Sequence, residues 1–164
     1  MQVKIYATGG TIDKIYFDDL SDFRVGEPQV GEVLKGANVG FEYEVHSILR
    51  KDSLELTDAD RRLISGTVRS DPCRHIIITH GTDTMIATAG MLKDIPDKVM
   101  VLTGAMQPAR FKVTDAIFNI GCAVMAVQLM PPGVYIAMNG RIFDPLLAHK
   151  NRAHNRFELK PRNQ

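Results

Sequence analysis

The sequence predicts an α/β fold of three layers, in which a mainly parallel β-sheet lies between two layers of helices. Apolar runs that resemble strands alternate with helical segments, as parallel strands require, because their connections are long and usually helical. Three of these runs end in turns rich in Gly and Thr. The 164 residues are 45% hydrophobic and 24% charged, which is typical of one globular domain and excludes a disordered, collagen-like or coiled-coil chain.

Five segments have the composition of buried β-strands. Each is a short run of mostly aliphatic and β-branched residues between polar residues or turns, a pattern that favours extended structure. In chain order they are residues 3–7, 41–48, 74–79, 98–103 and 134–138. After the last of them, Asn139 and Gly140 predict a tight hairpin turn into residues 141–143.

Four further segments predict helices. They are residues 30–37, 57–69, 84–92 and 113–129. Thr57 is the expected N-cap of the second helix, and Asp58 and Asp60 suit its positive N-terminus. The hydrophobic residues within 13–29 show no lasting periodicity, so this segment predicts a long loop or loose hairpin. Segments of this kind often serve as functional lids.

The alternation of strand and helix indicates an open sheet of the flavodoxin or Rossmann type, which binds ligands beyond the carboxyl ends of its strands. The turns at residues 8–11, 80–84 and 103–106 lie at such ends. A purely structural role is the alternative for each turn, because Gly permits a sharp bend and Thr or Asp caps a helix. We nevertheless expect the chemistry in these turns, not in the helices.

Several common site motifs are absent. Residues 9–13 (GGTID) depart from the dinucleotide pattern GxGxxG, and neither the phosphate-binding GxxxxGK[ST] pattern nor the serine-nucleophile GxSxG pattern occurs. The five histidines form no HExxH pattern, and Cys73 has no CxxC partner. We therefore expect no metal and no other cofactor, and the two cysteines cannot form a disulfide scaffold.

The charge balance gives no general attraction to nucleic acid or to an anionic membrane, since 20 basic residues oppose 19 acidic ones. The longest apolar stretch, residues 117–130, is interrupted by Asn119 and Gln128 and is short for a bilayer span. The opening Met-Gln-Val-Lys has no features of a secretory leader. These observations predict a cytoplasmic protein without nucleic-acid or membrane partners.

Hydroxyl and charged residues remain as candidates for chemistry. A Thr hydroxyl becomes a nucleophile only when a base takes its proton, and a desolvated Lys can supply that base. Two facing Gly-Thr turns, one of them with Asp83, together with Lys150 would provide such a group. The spacing alone permits this arrangement without requiring it.

A more specific pattern lies in five segments. They are residues 7–12 (ATGGTI), 52–57 (DSLELT), 78–85 (ITHGTDTM), 103–108 (TGAMQP) and 138–151 (MNGRIFDPLLAHKN). The first and third are similar to the two signature segments of bacterial-type L-asparaginases, the asparaginase/glutaminase family. The second resembles the family's substrate-binding serine segment, the fourth its Gly-Ala-Met-Arg-Pro turn, and the fifth the segment that ends in its catalytic lysine.

This resemblance covers residues 3–151 and only the N-terminal domain of the family. It implies one catalytic domain over residues 1–154, with the family's smaller C-terminal domain absent. The polar composition of residues 155–164 predicts a loose tail. In the family that domain makes dimer contacts and lends residues to a neighbour's substrate pocket. We therefore expect a homo-oligomer, either a dimer or a tetramer.

The resemblance implies catalytic roles for five residues. Thr11 is similar to the nucleophile that attacks the side-chain amide carbon of the substrate. Thr82 resembles the threonine at the reacting carbonyl, and Lys150 the lysine that assists proton movement. Asp83 resembles the carboxylate that binds the substrate's α-amino group and orients the cluster. The family also carries a tyrosine in the loop after the nucleophile, and Tyr16 is the candidate here, although it lies only five residues beyond Thr11.

Substrate binding is expected from Asp83 and from four further positions. Ser53 is similar to the residue that holds the α-carboxylate of the substrate, although it also suits a turn cap. Gly10, Gly81 and Ala105 lie in the three turns, whose backbone N–H groups would stabilise an oxyanion.

The resemblance implies hydrolysis of L-asparagine or a related small amide to L-aspartate and ammonia through an acyl-enzyme. Two alternatives stay open. A non-catalytic amino-acid-binding or regulatory module would keep the fold without turnover, which the displaced tyrosine and the missing domain favour. A subunit of a larger amidotransferase is a third class, because relatives of this fold hydrolyse amides in such assemblies.

Overall fold

A six-stranded β-sheet forms the middle layer in the computed structural model, which describes residues 1–17 and 22–161. From edge to edge the strands are β4 (Glu42–Lys51), β1 (Gln2–Gly9), β5 (His75–Thr79), β6 (Val99–Thr103), β7 (Gly133–Met138) and β8 (Arg141–Phe143). The first five run parallel, and β8 is antiparallel to β7. The mainly parallel sheet and the five strands expected from the sequence are confirmed.

Helices cover both faces of this sheet. One face carries α1 (Val30–Gly36) and α4 (Ala116–Leu129), and the other carries α2 (Asp58–Ser70) and α3 (Met85–Gly90). Successive strand side chains point to opposite faces, so the run of three Ile residues in β5 contributes to both cores. The expected cap of α2 is also present, since the Thr57 hydroxyl accepts the N–H of Asp60 over 3.2 Å.

Two small hairpins lie outside the main sheet. β2 (Lys14–Phe17) pairs with β3 (Asp22–Val25), which agrees with the loose hairpin expected over residues 13–29. Residues 18–21 lie outside the described part of the chain. β9 (Ala148–Asn151) pairs with β10 (Arg156–Leu159). Between β7 and β8, Asn139 and Gly140 have φ angles of 52° and 74°, which is the left-handed turn that the Asn-Gly pair predicted.

The prediction of a loose tail from residue 155 onward is wrong for Arg156–Leu159, which form β10. Phe157 explains the difference, because it is buried with its ring centroid 6.4 Å from that of Phe143. Its N–H also donates to Asn139 Oδ1 over 2.8 Å. Phe157 and Leu159 are too few in a polar segment to give a periodic signal, yet burying Phe157 contributes about 1.5–3 kcal/mol. Residues 162–164 of the expected tail lie outside the described residues.

Helix α4 is apolar on its outer side as well as on its core side. The exposed apolar residues of its outer face are Ile117, Phe118, Met125 and Leu129. With Ile142 of β8 they line an open groove of about 690 Å³. Within residues 1–17 and 22–161, neither α4 nor any other helix is long and apolar enough to cross a membrane. An exposed apolar surface of this kind marks a contact surface.

Asn119, which is fully buried in α4, joins three segments at one edge of the sheet. Its amide donates to the Gly104 carbonyl over 3.0 Å and to the Asp115 carboxylate over 2.9 Å, and its Oδ1 accepts the N–H of Asn139 over 3.0 Å. Asp115 in turn accepts the backbone N–H groups of Met106 and Gln107. The turn after β6 and the turn after β7 are therefore fixed to the same helix.

Replacing Asn119 with Ala should lower the free energy of unfolding by about 2–4 kcal/mol, because the carbonyl of Gly104 and the N–H of Asn139 lose their partner inside the protein. Urea unfolding measures this loss. The matched control is Gln128→Ala on the exposed side of the same helix, where the amide bonds only to the Val124 carbonyl. The control should change stability by less than about 0.5 kcal/mol, and equal losses in both variants would contradict the joining role.

Candidate active site

Two Gly-rich turns meet at the carboxyl edge of the sheet. β1 and β5 are parallel neighbours, with Ala7 paired to Thr79, so the chain leaves both strands at the same edge. Gly10 has a φ of 87°, and a Cβ placed on it would collide with the backbone of Gly81. Only glycine fits this contact. Thr11 and Thr82 each follow one of these two glycines, so their backbones lie side by side.

Lys150 reaches the second turn from β9. Its Nζ donates to the Thr82 hydroxyl over 2.7 Å and to Asp83 Oδ1 over 3.0 Å, and its side chain is 14% exposed. A hydroxyl, an amine and a carboxylate thus form one hydrogen-bonded line. Such a line can move a proton between the hydroxyl and the amine while the carboxylate holds the amine in place.

Arg152 adds a second cation to this group. Its guanidinium nitrogen Nη2 lies 3.2 Å from Asp83 Oδ1, the same oxygen that Lys150 contacts. The sequence analysis gave Arg152 no role. Arg152 is the first residue of the turn after β9, so the alternation of side chains along a strand gave no signal for this contact.

Ser53 lies against the second turn. It is buried in a 3₁₀ turn over Ser53–Glu55, and a Cβ on Gly81 would lie 2.6 Å from its Oγ. Within the described part of the chain, this buried Oγ has no hydrogen-bond partner. The Ser53 carbonyl accepts the Thr84 hydroxyl over 2.8 Å, which ties the serine turn to the start of α3. A buried hydroxyl with unused hydrogen-bonding capacity at this edge suits a polar ligand.

Beside Ser53, Asp52 forms an ion pair with Lys14 of β2 at 2.9 Å. Burial opposes ionisation of Asp52, but the Lys14 ammonium, the N–H of Leu54 and the more distant charge of Lys150 together lower its pKa. Asp52 is therefore a carboxylate at neutral pH. Through this pair, the hairpin is joined to the serine turn.

His80 and Ala105 have supporting positions. The imidazole of His80 is fully buried, donates from Nδ1 to the Gly81 carbonyl over 2.7 Å and accepts the Thr88 hydroxyl at Nε2 over 2.8 Å. Burial lowers the pKa of His80 to about 4, so the ring is neutral and braces its turn. Ala105 is buried in the third turn, where the preceding Gly104 packs against the His80 carbonyl.

The structure does not bring Tyr16 to the other candidate residues. Tyr16 lies on β2, about half exposed, with its ring centroid 5.4 Å from that of Phe23. Among the described residues, its hydroxyl has no hydrogen bond to Thr11, Thr82 or Lys150. Because Tyr16 follows Thr11 by only five residues, it lies on β2, where its ring packs against Phe23 of β3.

Asp13 is a residue that the sequence analysis missed. Its side chain is buried, and Oδ1 accepts the N–H of Gln29 over 2.9 Å. Its carbonyl accepts the N–H of Gly26 over 2.8 Å, and its own N–H donates to the Gly10 carbonyl over 3.2 Å. Asp13 therefore closes the base of the β2–β3 hairpin beside Thr11. Burial raises the pKa of Asp13 to about 7, although the Gln29 N–H and the charge of Arg50 oppose this rise.

Metal ligands are not grouped at this edge. Within residues 1–17 and 22–161, no three His, Cys, Asp or Glu side chains are placed to hold one metal ion. The polar groups at this edge are hydroxyls, the amines of Lys14 and Lys150, the guanidinium of Arg152, the carboxyl groups of Asp13, Asp52 and Asp83, and backbone N–H groups. This donor set suits a small polar organic ligand.

The sequence of this chain is similar to those of known proteins over most of its length. A family model described as asparaginase, N-terminal, matches residues 2–163. L-asparaginase 2 of Escherichia coli is 32% identical over 161 residues, which cover 87% of this chain and 44% of the relative. L-asparaginase of Thermococcus kodakarensis is 33% identical over 108 residues, or 63% of this chain and 33% of the relative.

Two further matches come from a solved structure and from an amidotransferase. The structure of the thermostable L-asparaginase from Thermococcus kodakarensis aligns with a TM-score of 0.85 at 28% identity and covers 97% of this chain and 51% of that one. A glutamyl-tRNA(Gln) amidotransferase component of Methanococcus vannielii is 41% identical over 73 residues, which are 43% of this chain and 17% of that component. The chain thus spans about half the length of the proteins it matches, or less.

Replacing Asp13 with Asn should stabilise the protein at neutral to alkaline pH. The pKa of Asp13 in the folded chain, about 7, lies above its ordinary value of 3.8, so between these values the folded chain holds a proton that the unfolded chain has lost. The contribution of Asp13 to stability therefore falls as the pH rises through this window, and above it the cost of burying the charge is complete. Asparagine cannot ionise, yet it keeps an acceptor for the N–H of Gln29.

Urea unfolding of both proteins across this pH window measures the effect. The free energy of unfolding of Asp13→Asn minus that of the wild type should grow by roughly 2–4 kcal/mol from about pH 4 to about pH 8. Asp94→Asn, at an exposed position, serves as the control and should show a nearly constant difference. A flat difference for Asp13→Asn as well would contradict the buried ionisation.

Proposed function

This chain belongs to the asparaginase family, and we propose that it is a threonine-dependent amidohydrolase that releases ammonia from L-asparagine or a related small amide. The observation that carries this proposal is the line from the Thr82 hydroxyl to Lys150 and Asp83, next to the turn that holds Thr11. In this proposal the catalytic domain extends past the expected boundary at residue 154, because β10 (Arg156–Leu159) pairs with the strand that carries Lys150. L-asparaginases among the relatives are named for the same reaction.

In the proposed reaction the hydroxyl of Thr11 attacks the amide carbon of the substrate and loses its proton to a base at the site. The tetrahedral intermediate then expels ammonia, which takes up a proton, and an ester between Thr11 and the substrate acyl group remains. Water attacks this ester, the acid leaves, and Thr11 regains its proton. Lys150 and the Thr82 hydroxyl would carry these protons, which the 2.7 Å contact between them supports.

Backbone N–H groups of the three turns would stabilise the negative oxygen of the intermediate. Gly10, Gly81 and Ala105 lie in these turns, and their tight packing supports a preorganised site. Removing one such donor costs about 100- to 1000-fold in rate in well-studied hydrolases. Ser53 would hold a carboxylate of the substrate, and its unpartnered, buried hydroxyl supports this role.

Tyr16 would activate Thr11 only if the hairpin changes position. Lys14 and Tyr16 lie two residues apart on β2 and share one side of the strand. Because Lys14 already contacts Asp52 beside Ser53, that side of the hairpin faces the serine turn. We propose that closure of the hairpin over a bound amide would bring the Tyr16 hydroxyl toward Thr11.

An ammonia-releasing subunit of a larger amidotransferase is the second candidate function. The 41% identity to a glutamyl-tRNA(Gln) amidotransferase component over 73 residues favours it. The two functions share the amide hydrolysis and differ in the partner. Purification of the chain together with a second polypeptide would favour the amidotransferase.

Thr11→Val, Thr82→Val and Lys150→Met should each lower ammonia release by at least about 100-fold, because each removes a group that the proposed reaction uses to attack the amide or to move a proton. A coupled ammonia assay with asparagine, glutamine and simple amides measures the rates. Thr67→Val is the matched control, since the Thr67 hydroxyl bonds only to the Leu63 carbonyl within α2. Full activity of Thr11→Val would remove Thr11 as the nucleophile, and aspartate binding without any ammonia release would indicate a non-catalytic binding module.

The proposed enzyme is a homo-oligomer, and the apolar outer face of α4 supports this part of the proposal. Sedimentation should show a species heavier than the 18.2 kDa chain. Met125→Glu, in the middle of the apolar face, should dissociate that species, because the interface would have to bury an unpaired charge. Leu63→Glu, at a similarly exposed position on α2, should leave the assembly intact, and a wild-type protein that sediments as a monomer would exclude the oligomer. The cytoplasmic location expected from the sequence stays a prediction.

A further inference from the structure

We propose that Thr84 is a positioning residue, whose hydroxyl holds Ser53 where Ser53 can bind the carboxylate of the substrate. Thr84 itself would touch no substrate atom. This inference rests on the proposed function, because it concerns recognition of the carboxylate at the same site. It assigns the binding of the carboxylate, and not the cleavage of the amide, to the contact between these two residues.

The hydroxyl of Thr84 bonds outside its own helix. Thr84 directly precedes α3, at the N-cap, where a Thr side chain ordinarily accepts a backbone N–H of the helix. Here it makes no such bond and instead donates to the carbonyl of Ser53 over 2.8 Å, 31 positions earlier in the chain. At the start of α2, by contrast, the Thr57 hydroxyl does cap its helix. The Thr84 hydroxyl therefore supports the serine turn instead of α3.

Ser53 depends on support of this kind because its own side chain provides none. Its Oγ is buried and has no hydrogen-bond partner within residues 1–17 and 22–161. The position of Oγ therefore follows from the backbone of the turn. The carbonyl of Ser53 accepts the N–H of Leu56 over 3.4 Å, within the turn, and the hydroxyl of Thr84 over the shorter distance of 2.8 Å. The bond from Thr84 thus joins the turn to another part of the site.

The backbone of Gly81 limits the position of Ser53 from close by. A Cβ on Gly81 would lie 2.6 Å from both the Cβ and the Oγ of Ser53, so the serine side chain already packs against this glycine. This packing prevents a closer approach of the two turns, whereas the hydrogen bond from Thr84 opposes their separation. Together the two contacts hold the Oγ of Ser53 in place relative to residues 81–84.

The same segment carries groups that would act on the amide. Lys150 contacts the Thr82 hydroxyl at 2.7 Å and Asp83 Oδ1 at 3.0 Å. Thr84 follows these two residues directly, so its bond to Ser53 helps to set the distance from the carboxylate-binding hydroxyl to the reacting groups. Loss of the Thr84 hydroxyl would keep the contacts of Lys150 and release the serine turn. Binding of the carboxylate should then weaken while the chemistry proceeds.

The test measures kcat and KM for ammonia release from L-asparagine by the full chain. Thr84→Val removes the hydroxyl, keeps the shape and should raise KM about three- to tenfold, the size expected for one lost hydrogen bond. The kcat value should change by less than about twofold, because binding that is equal in the ground state and the transition state affects KM alone. Thr84→Ser keeps the hydroxyl and should behave as the wild type. An unchanged KM, or a loss in kcat as large as the rise in KM, would overturn the inference while the proposed hydrolysis stands.

A double-mutant cycle shows whether Thr84 acts through Ser53. Ser53→Ala should raise KM at least as much as Thr84→Val. Adding Thr84→Val to Ser53→Ala should raise KM by less than about twofold more, because no serine hydroxyl is left to position. An unchanged KM in Ser53→Ala, or a double variant in which the two effects multiply, would overturn the inference.

Thr67→Val is the matched control, since the Thr67 hydroxyl also donates to a backbone carbonyl, that of Leu63 over 2.9 Å, but within α2. It should leave both kcat and KM unchanged. Thermal unfolding checks that every variant is folded. A rise in KM as large in Thr67→Val as in Thr84→Val would overturn the specific role of Thr84.

A wild-type chain that releases no ammonia would overturn the proposed function instead. The inference is then decided by calorimetric affinity for L-aspartate, which carries the same carboxylate as asparagine and needs no turnover. Binding that is about three- to tenfold weaker in Thr84→Val and normal in Thr84→Ser would support the role of Thr84. Equal affinity in the wild type and Thr84→Val, or a wild type that does not bind L-aspartate, would overturn it.

Discussion

The backbone of Gly10 lies directly against the backbone of Gly81, and the Cβ and Oγ of Ser53 occupy the space that a side chain on Gly81 would need. The three turns involved follow β1, β5 and β4, which are adjacent and parallel in the sheet. The site is thus a stack of main-chain segments at one edge. The positions of Thr11 and Thr82 follow from this stack, because a backbone contact leaves less freedom than a contact between flexible side chains.

This stack concentrates features that cost stability. Gly9 and Gly10 both adopt positive φ angles, and the buried hydroxyls of Ser53 and Thr79 have no hydrogen-bond partner in the described residues. Asp13 buries a carboxyl group in the adjacent turn. The two large apolar cores on either side of the sheet offset these costs. Groups that are unsatisfied in the free protein and gathered at one edge are characteristic of a site that completes its hydrogen bonds with a ligand.

Much of this arrangement could be predicted from the sequence because its causes are local. The strands were recognisable from their aliphatic runs, and the turns from Gly and Thr at fixed positions. The contact between Lys150 and Thr82 spans 68 positions of the chain and depends on the hairpin of β9 and β10. Phe157 is the buried aromatic residue of that hairpin, and its polar surroundings in the sequence gave no periodic pattern by which the hairpin could be predicted. The resemblance to a family, and not the spacing, pointed to Lys150.

Two contacts of different strength join the β2–β3 hairpin to the rest of the site, the hydrogen bonds of Asp13 and the ion pair of Lys14. At the base, the buried Asp13 accepts two backbone N–H groups and donates its own to Gly10. Along β2, the ion pair between Lys14 and Asp52 is only partly buried, and pairs of that kind contribute about 0–1 kcal/mol. Breaking this ion pair therefore costs less than leaving the backbone N–H groups at Asp13 without a partner. The position of the Thr11 turn relative to the base of the hairpin therefore depends more on the buried hydrogen bonds of Asp13 than on the pair between Lys14 and Asp52.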